Sequence, residues 1–356
     1  MTVAKASISS RIPMTADIVL YAPNVHTGGG FSLLSAVLTD WPAERPLCVF
    51  LDARTLGRLA LPLTAKVTWV APRALARLRA EFVLRRAAGD NVTIICFHGL
   101  PPLFPLRGHV VQFIQNRLLI EHGSLAEYPL GVRTRLWIER LWCRALKNRC
   151  SRYIVQTPSM AASLRKWVRR EVLVSVLPFA PAVVATTSGP NTSGRMFDFV
   201  YVASGEAHKN HKNLLEAWHL LAEAGFRPSL ALTVNPLTYP SIFDELSKIT
   251  RDFSLNIVNL GHLSTEDIAG LYKSSSALIF PSRTESFGLP LIEAMHHGLP
   301  ILASELDYVR DVVTPIETFD PSSPISIARA VRRFLGNAEP TAQIHSAEDF
   351  LLEVLK

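Results

Sequence analysis

The feature that most constrains this chain is a series of short, uninterrupted apolar runs, each stopped by turn residues and most separated by segments with helical spacing. In the first half they read "DIVLYAP", "PLCVFLDA", "NVTIICFHG", "HVVQFIQ" and "SRYIVQT"; in the second, "FDFVYVASG", "LALTV", "NIVNLG", "SALIFPS" and "PILAS". A strand with one wet face alternates apolar and polar residues. A strand that is apolar at every position needs cover on both faces, which helices crossing between parallel strands supply.

The opening pattern occurs twice. "DIVLYAP" runs into "NVHTGGGFSLLSAVL", where three glycines precede a helical segment, and "FDFVYVASG" runs into "EAHKNHKNLLEAWHLLAEAG", closed by Gly225. Between the two halves lies "FAPAVVATTSGPNTSGR", rich in Pro, Ser, Thr and Gly, as linkers are. At 356 residues the chain is long enough for two domains of ordinary size. The expectation is therefore α/β: two Rossmann-like domains facing each other across a cleft. Residues 1–185 would form the first, with 1–15 disordered, and residues 195–340 the second; "SAEDFLLEVLK" within 341–356 reads as a C-terminal helix. Ligands of such sheets collect beyond the carboxyl ends of the strands, so both domains would turn their loops to one cleft.

The second domain carries the densest chemistry. In "FGLPLIEAMHHG", Gly288 permits a tight turn, Pro290 suits the first helical position and Gly298 suits the residue after a helix, predicting a helix from about Leu289 to His297. Unpaired amides near residues 287–291 would make an anion site suited to a diphosphate. Glu293, one turn inside, could accept hydrogen bonds from vicinal hydroxyls; Glu285, on the preceding loop, could reach a group across the phosphates. A diphosphate between two hydroxyl-bearing sugars is the outline of a nucleotide sugar. An isolated pair of glutamates at this spacing also occurs on solvated helices and capped turns, so the surrounding residues matter.

Those residues resemble a known signature. "PSRTESFGLPLIEAMHHGLPILAS" is similar to the motif of the retaining GT-B glycosyltransferases, in particular the group 1 or family-four class, and the likeness extends over most of residues 197–335. The resemblance implies a nucleotide diphosphate sugar as donor, with Glu293 on its ribose, Glu285 on the transferred sugar and Ser286, Phe287, Gly288 and Leu289 around its phosphates. It implies that the backbone near Leu260, Gly261 and His262 lies against the base. It aligns Lys209, by its seven-residue spacing to Glu216, with the lysine that serves the donor phosphates, with Lys212 as second choice. Ser204 and Gly205 fall on the same loop. The family usually has an arginine five or six residues before that lysine, where this chain has Ala203 or Ser204. Arg283 or Lys212 could supply the charge instead.

Gly28, Gly29 and Gly30 match the glycine loop of the family's first domain, where bare backbone can approach a phosphate or sugar. A dinucleotide reading also exists, because Asp52 ends the second strand as a ribose-binding acid would, but Leu33 stands where the third fingerprint glycine belongs. The family's histidine base has no clear counterpart: the comparable strand runs into Gln115, Asn116 and Arg117, assigned to acceptor or donor-sugar contacts, and His98 ends the strand before it. Retaining members are thought to let the leaving phosphate take the acceptor proton. No D-x-D element is present, so no metal and no further cofactor is expected.

The net charge of +7 favours acidic partners. It is concentrated in "RTRLWIERLWCRALKNRCSR" and "RALARLRAEFVLRRAAG", which interleave Arg with Leu and Trp at helical spacing. Such helices can pack their apolar stripe on the sheet and expose the charge, or touch anionic lipid at a membrane surface. Nucleic acid is not expected. Cys48, Cys96, Cys143 and Cys150 form no CxxC pair, the N-terminus lacks the apolar core of a signal peptide, and no apolar run approaches the ~18 residues that span a bilayer. The expectation is a cytoplasmic, metal-independent glycosyltransferase acting on a saccharide or lipid-linked acceptor in bacterial surface polysaccharide or lipopolysaccharide synthesis, in peripheral contact with the inner face of the cell membrane. The competing reading is a nucleotide-sugar-binding protein that keeps the cleft without turnover. In this fold class a C-terminal helix often packs back on the first domain, which is the expectation for residues 341–356.

Overall fold

The computed structural model describes residues 17–121, 125–168, 171–181 and 194–339. The expected disorder at 1–15, most of the linker and the helix expected within 341–356 lie outside the described residues.

Strands β1 (Ile18–Ala22), β2 (Leu47–Asp52), β3 (Ala65–Val70), β4 (Thr93–Cys96), β5 (His109–Phe113), β6 (Arg152–Val155) and β7 (Leu173–Val176) build one sheet in the order β3-β2-β1-β4-β5-β6-β7. Every neighbouring pair is parallel. The crossovers include helices α1 (Gly28–Thr39), α2 (Ala74–Ala87), α3 (Leu130–Leu146) and α4 (Pro158–Val168).

The period of two in a strand decides which helix each residue meets. Val19 and Tyr21 of β1 and Cys48 and Phe50 of β2 join the core beneath α2 and α4, with Leu84 and Leu164. Their neighbours Leu20, Ala22, Leu47, Val49 and Leu51 point the other way, onto Leu33, Leu34 and Leu38 of α1. The uninterrupted apolar runs are thus two alternating sets, each with its own core.

The second sheet holds β8 (Phe197–Tyr201), β9 (Leu230–Leu232), β10 (Ile257–Asn259), β11 (Ser275–Phe280), β12 (Ile301–Ser304) and β13 (Glu317–Phe319) in the order β10-β9-β8-β11-β12-β13, again parallel throughout. Its helices are α5 (His211–Glu223), α6 (Pro240–Asp252), α7 (Thr265–Lys273), α8 (Leu289–His296), α9 (Asp307–Arg310) and α10 (Pro324–Phe334). Local chemistry sets several helix starts. The Ser264 hydroxyl accepts from the Asp267 amide and the Ser323 hydroxyl from the Ser326 amide, with Pro290 and Pro324 in first turns where no amide partner is lost. Trp218 of α5 and Phe334 of α10 both meet Phe199 edge-on, closing the core on one side of this sheet.

Three strands were not read from the sequence: β3, β7 and β13, each at an edge of its sheet. Their side chains are mostly half-buried or exposed, and β3 carries Lys66 and Thr68 among its apolar residues. An edge strand has one neighbour and less cover, so it lacks the all-apolar signature that marks the centre.

Both sheets reverse direction of strand addition beside their first strand, between β1 and β4 and between β8 and β11. At these switch points the loops diverge and leave a crevice. Contacts tie the two crevices together. The Ser286 hydroxyl, beyond β11, donates to the Gln115 carbonyl beyond β5 and accepts from the Arg117 amide at 3.1 Å. Arg117 pairs with Asp307 at 3.1 Å, and the Ser159 amide donates to Asp311 at 2.9 Å.

Candidate active site

Glu285 sits on the loop between β11 and α8, and Lys209 on the loop between β8 and α5. Adjacent strands bring them together: Lys209 Nζ lies 2.6 Å from Glu285 Oε1, with both side chains largely buried. Ser282 Oγ donates to the same oxygen at 2.7 Å. Burial pushes the Glu285 carboxyl up, but Lys209, His208 and the Ser282 hydrogen bond outweigh it and hold the group below the usual glutamate range.

The backbone that presents this pair is braced at several points. Asn210 adopts a left-handed conformation (φ 64°), which asparagine tolerates better than most residues. Its side-chain amide donates to the carbonyls of Pro281 at 3.0 Å and Pro321 at 2.7 Å. The Tyr201 hydroxyl donates to the Lys209 carbonyl at 2.8 Å, the Arg283 amide to the His208 carbonyl at 2.8 Å and the Tyr308 hydroxyl to the Ser282 carbonyl at 2.7 Å. The ion pair therefore rests on two loops sewn to one another.

Helix α8 begins at Leu289 behind Gly288, whose φ of 75° puts it in the left-handed region. A Cβ there would also fall 2.9 Å from the Leu291 side chain, so glycine is required twice over. Glu293, one turn further, accepts from the Tyr272 hydroxyl of α7 at 2.9 Å. Burial raises its pKa, and the Tyr272 bond offsets only part of that rise.

The glycine loop of the first sheet meets this helix. A Cβ on Gly29 would stand 3.3 Å from Leu289 Cδ1, and one on Gly30 would stand 2.7 Å from Gln115 Oε1. Gly28 opens α1 with φ 66°. Leu289 packs against the core that α1 shares with its sheet. Gly28, Gly29, Gly30, Gln115, Ser286, Gly288 and Leu289 are thus brought to one place, as are Lys209 and Glu285 beside them. Phe287, half-buried, lies between these two groups in the chain.

Other expected residues have structural employment. Gln115 Nε2 donates to the Phe97 carbonyl at 2.6 Å, and the Asn116 side chain caps a short turn by accepting from the Leu118 amide at 3.0 Å. The Arg117 guanidinium is divided between Glu121 at 2.6 Å and Asp307. Arg283 is held by Glu127 at 2.6 Å and by the Asn210 side-chain oxygen at 2.9 Å, so it is committed to bridging the halves. Lys212 stands exposed in the first turn of α5. Gly205 lies under the Tyr239 ring, which would meet a Cβ at 2.5 Å. The Ser204 hydroxyl bonds Glu206, and its carbonyl meets His211 Nε2 at 2.8 Å. Gly261, with φ 72°, and exposed His262 follow β10, separate from the Glu285 pair in the chain and on an outer strand of the sheet.

His98 Nδ1 meets the Tyr21 carbonyl at 3.3 Å, and its ring stands edge-on to Tyr21. Burial lowers its pKa to about 4, so it is neutral at neutral pH. Asp52 is buried and spent on Arg54, through two side-chain contacts of 2.8 and 2.6 Å and the Arg54 amide. That leaves no free ribose acceptor of the dinucleotide type. Among the described residues, no group of three His, Cys, Asp or Glu side chains could hold a metal ion, and no helix is long and apolar enough to cross a membrane.

Sequence reasoning missed several members of this region: Tyr272 beside Glu293, Ser282 beside Glu285, Tyr239 over Gly205, and Tyr128, whose hydroxyl lies 3.2 Å from His208 Nδ1 across the cleft. The three tyrosines carry no local signal, because each is paired by the fold with a residue on another element, whereas Ser282 stands three residues before Glu285 inside the motif itself.

Residues 190–348 match the family model described as "Glycosyl transferases group 1". The chain is 27% identical over 226 residues to the serotype-specific mannosyltransferase WbdA of Escherichia coli, covering 58% of this chain and 28% of WbdA. It is 32% identical over 116 residues to the O-antigen chain mannosyltransferase B of Escherichia coli, covering 32% of this chain and 30% of that protein. The chain thus spans less than a third of the length of these curated relatives. Anabaena HepE, solved in complex with UDP and glucose, superposes with a TM-score of 0.65 at 16% identity, covering 89% of each chain, which establishes a shared fold.

Proposed function

We propose, from the premise that the chain belongs through residues 190–348 to the group 1 glycosyl transferases, that it transfers a hexose from a nucleoside diphosphate sugar to a hydroxyl with retention. The observation that carries this reading is the placement of one helix N-terminus between two carboxylates of opposite character. Glu285 is held ionised by Lys209, whereas Glu293 is raised by burial and faces only a tyrosine hydroxyl.

In this reading the amides at the start of α8 receive the diphosphate. An ammonium has three donors, so Lys209 can keep its bond to Glu285 and still offer protons to the departing phosphate, where negative charge develops. Glu285 contacts the transferred sugar and Glu293 the ribose hydroxyls, while Gly261 and His262 lie near the base. The leaving phosphate takes the acceptor proton, so no side-chain base is required. Gln115 serves by holding the glycine loop against α8, and His98, neutral, lines the acceptor side. The two sheets are two domains, with the acceptor on the 1–185 side and the donor on the 195–340 side.

The mannosyltransferase relatives support mannose as the sugar and surface polysaccharide synthesis as the setting. Net positive charge supports work at the inner face of the cell membrane, in the cytoplasm. Ala203 or Ser204, at the place of the family arginine, favours the competing reading of a binding protein without turnover.

A calorimetric panel of uridine, guanosine and adenosine diphosphate sugars against the wild type and Glu293→Ala tests the cleft. One nucleotide family should bind, with binding lost in the variant. A folded wild type that binds none of them overturns the reading. Donor consumption in the presence of acceptor then separates catalyst from binding protein.

A further inference from the structure

The residues that could have replaced the family arginine are occupied or out of place. Ala203 has no polar side-chain atom, and the Ser204 hydroxyl is taken by Glu206. Arg283 is held by Glu127 and Asn210, and Lys212 stands exposed on α5. Charge that develops on a departing phosphate is stabilised by donors already aimed at it, and Lys209 divides its donors with Glu285. A second donor has to come from the neighbours of Lys209.

His208 is the adjacent residue. The Arg283 amide donates to its carbonyl at 2.8 Å and the Ser282 hydroxyl at 3.2 Å, which fixes the backbone beneath the ring. Lys209 and Glu285 both act electrostatically on that ring, so it stands beside the ion pair. Burial and the Lys209 charge lower its pKa and outweigh the pull of Glu285 and Glu206, so at neutral pH the ring carries a single proton.

The other half of the molecule decides where that proton sits. The Tyr128 hydroxyl lies 3.2 Å from His208 Nδ1, and the two rings stack with centroids 6.3 Å apart. Burial, together with Glu206, Glu127 and Glu285, pushes the Tyr128 phenol up to about 12, so it keeps its proton. That proton is donated to Nδ1, which leaves the imidazole proton on Nε2. Among the described residues Nε2 has no hydrogen-bond partner, and solvent reaches it. Tyr128 is itself held in place, because its neighbour Glu127 binds Arg283 at 2.6 Å and the Arg283 amide is the donor to the His208 carbonyl. The result is an imidazole anchored by one nitrogen, with its N–H on the other.

We infer that His208 Nε2–H is the second hydrogen-bond donor to the leaving phosphate, beside Lys209, and that Tyr128 is the positioning residue that fixes its tautomer. No proton is transferred; the N–H stabilises the charge by hydrogen bonding alone. The donor site is then complete only when a residue of the first sheet's half has docked on the second. The inference rests on the glycosyl transferase reading for the phosphate, and on the Tyr128 contact for the tautomer.

The test compares uridine, guanosine and adenosine diphosphates with the corresponding monophosphates by calorimetry, because each pair differs only in the terminal phosphate. Two substitutions separate the roles. The amide of His208→Asn reaches the place of Nδ1 and can still meet Tyr128, whereas the amide of His208→Gln reaches the place of Nε2 and keeps a donor there. The diphosphate that binds the wild type should bind His208→Asn about tenfold more weakly and His208→Gln within about threefold, with monophosphate affinity unchanged in both. Tyr128→Phe keeps the ring stack and should weaken the diphosphate a few-fold. In the His208→Gln background it should have no further effect, because an amide has no tautomer to set. Thermal melts and monophosphate binding report that each variant is folded.

Diphosphate affinity retained in His208→Asn would overturn the inference, as would an equal loss of monophosphate and diphosphate. A Tyr128→Phe effect that persists in the glutamine background would remove Tyr128 from the tautomer and overturn that half. A folded wild type that binds neither class of nucleotide would overturn the glycosyl transferase reading and this inference with it, whereas diphosphate binding indifferent to His208 overturns the inference alone.

Discussion

The two ends of the acidic motif, separated by the N-terminus of α8, hold the same side chain in opposite electrostatic settings. Glu285 and Glu293 are both largely buried, and burial alone would raise both. At Glu285 a lysine at 2.6 Å reverses the shift; at Glu293 a tyrosine hydroxyl at 2.9 Å does not. Desolvation sets the common starting point and the partner's charge decides the outcome. The loop end is thus a fixed negative charge beside a cation, suited to the reacting sugar. The helix end is a carboxyl whose pKa burial raises, with only a tyrosine hydroxyl to offset the rise.

The strongest way to break this comparison is Glu285→Gln, which keeps the shape and removes the charge. If the loop end acts where charge develops, kcat should fall by about 10²–10³-fold, with donor affinity changed only a few-fold. A fall of less than tenfold would place the reaction away from Glu285.

A smaller effect is expected when the cation is removed. In the wild type the folded pKa of Glu285 is depressed, so its stability contribution is present above the unfolded value of about 4.3 and is lost as pH falls through the folded value. In Lys209→Met the burial effect is left to dominate, the folded pKa moves above the unfolded one, and stability instead falls as pH rises through it. At neutral pH the uncompensated carboxylate should cost roughly 1–3 kcal/mol, after discounting for the partial solvent access of the cleft. Urea unfolding midpoints from pH 4 to 8 measure this, and a variant whose midpoint still drops on acidification would show that Lys209 is not what holds Glu285 ionised.

The smallest change sharpens the other end. Tyr272→Phe removes the hydrogen bond that partly offsets burial at Glu293, so the Glu293 pKa should climb further. Donor affinity should weaken by about 0.5–1.5 kcal/mol at neutral pH, and its loss on acidification should begin at a higher pH than in the wild type. An unchanged affinity-versus-pH curve would detach Glu293 from the donor.

Much of the fold was legible because central parallel strands are apolar at every position. Nine central strands and the edge strand β10 were read in the sequence, and the three strands that were not are the other edges, with half-covered faces. The predicted helix from Leu289 to His297 differs from the observed one by a single residue, because Gly288, Pro290 and Gly298 act within one turn of where they stand. The site was legible to the same depth. Glu285, Ser286, Gly288 and Glu293 lie in one contiguous segment, so their spacing could be read directly. Tyr128 and His208 stand 80 residues apart in opposite halves and meet only once those halves have packed.

The sequence by itself marked every strand at the sheet centres, where α8 starts, and that two glutamates bracket it. These are local consequences of side-chain period, glycine conformation and proline's missing amide. Only the tertiary structure decided that Lys209 would neutralise Glu285, that Arg283 and Arg117 would be spent on Glu127 and Asp307 across the cleft, and that the buried Arg77 Nε would be left without a hydrogen bond. Charge interactions depend on distance through space and on burial, and neither quantity exists until segments remote in the chain have been packed together.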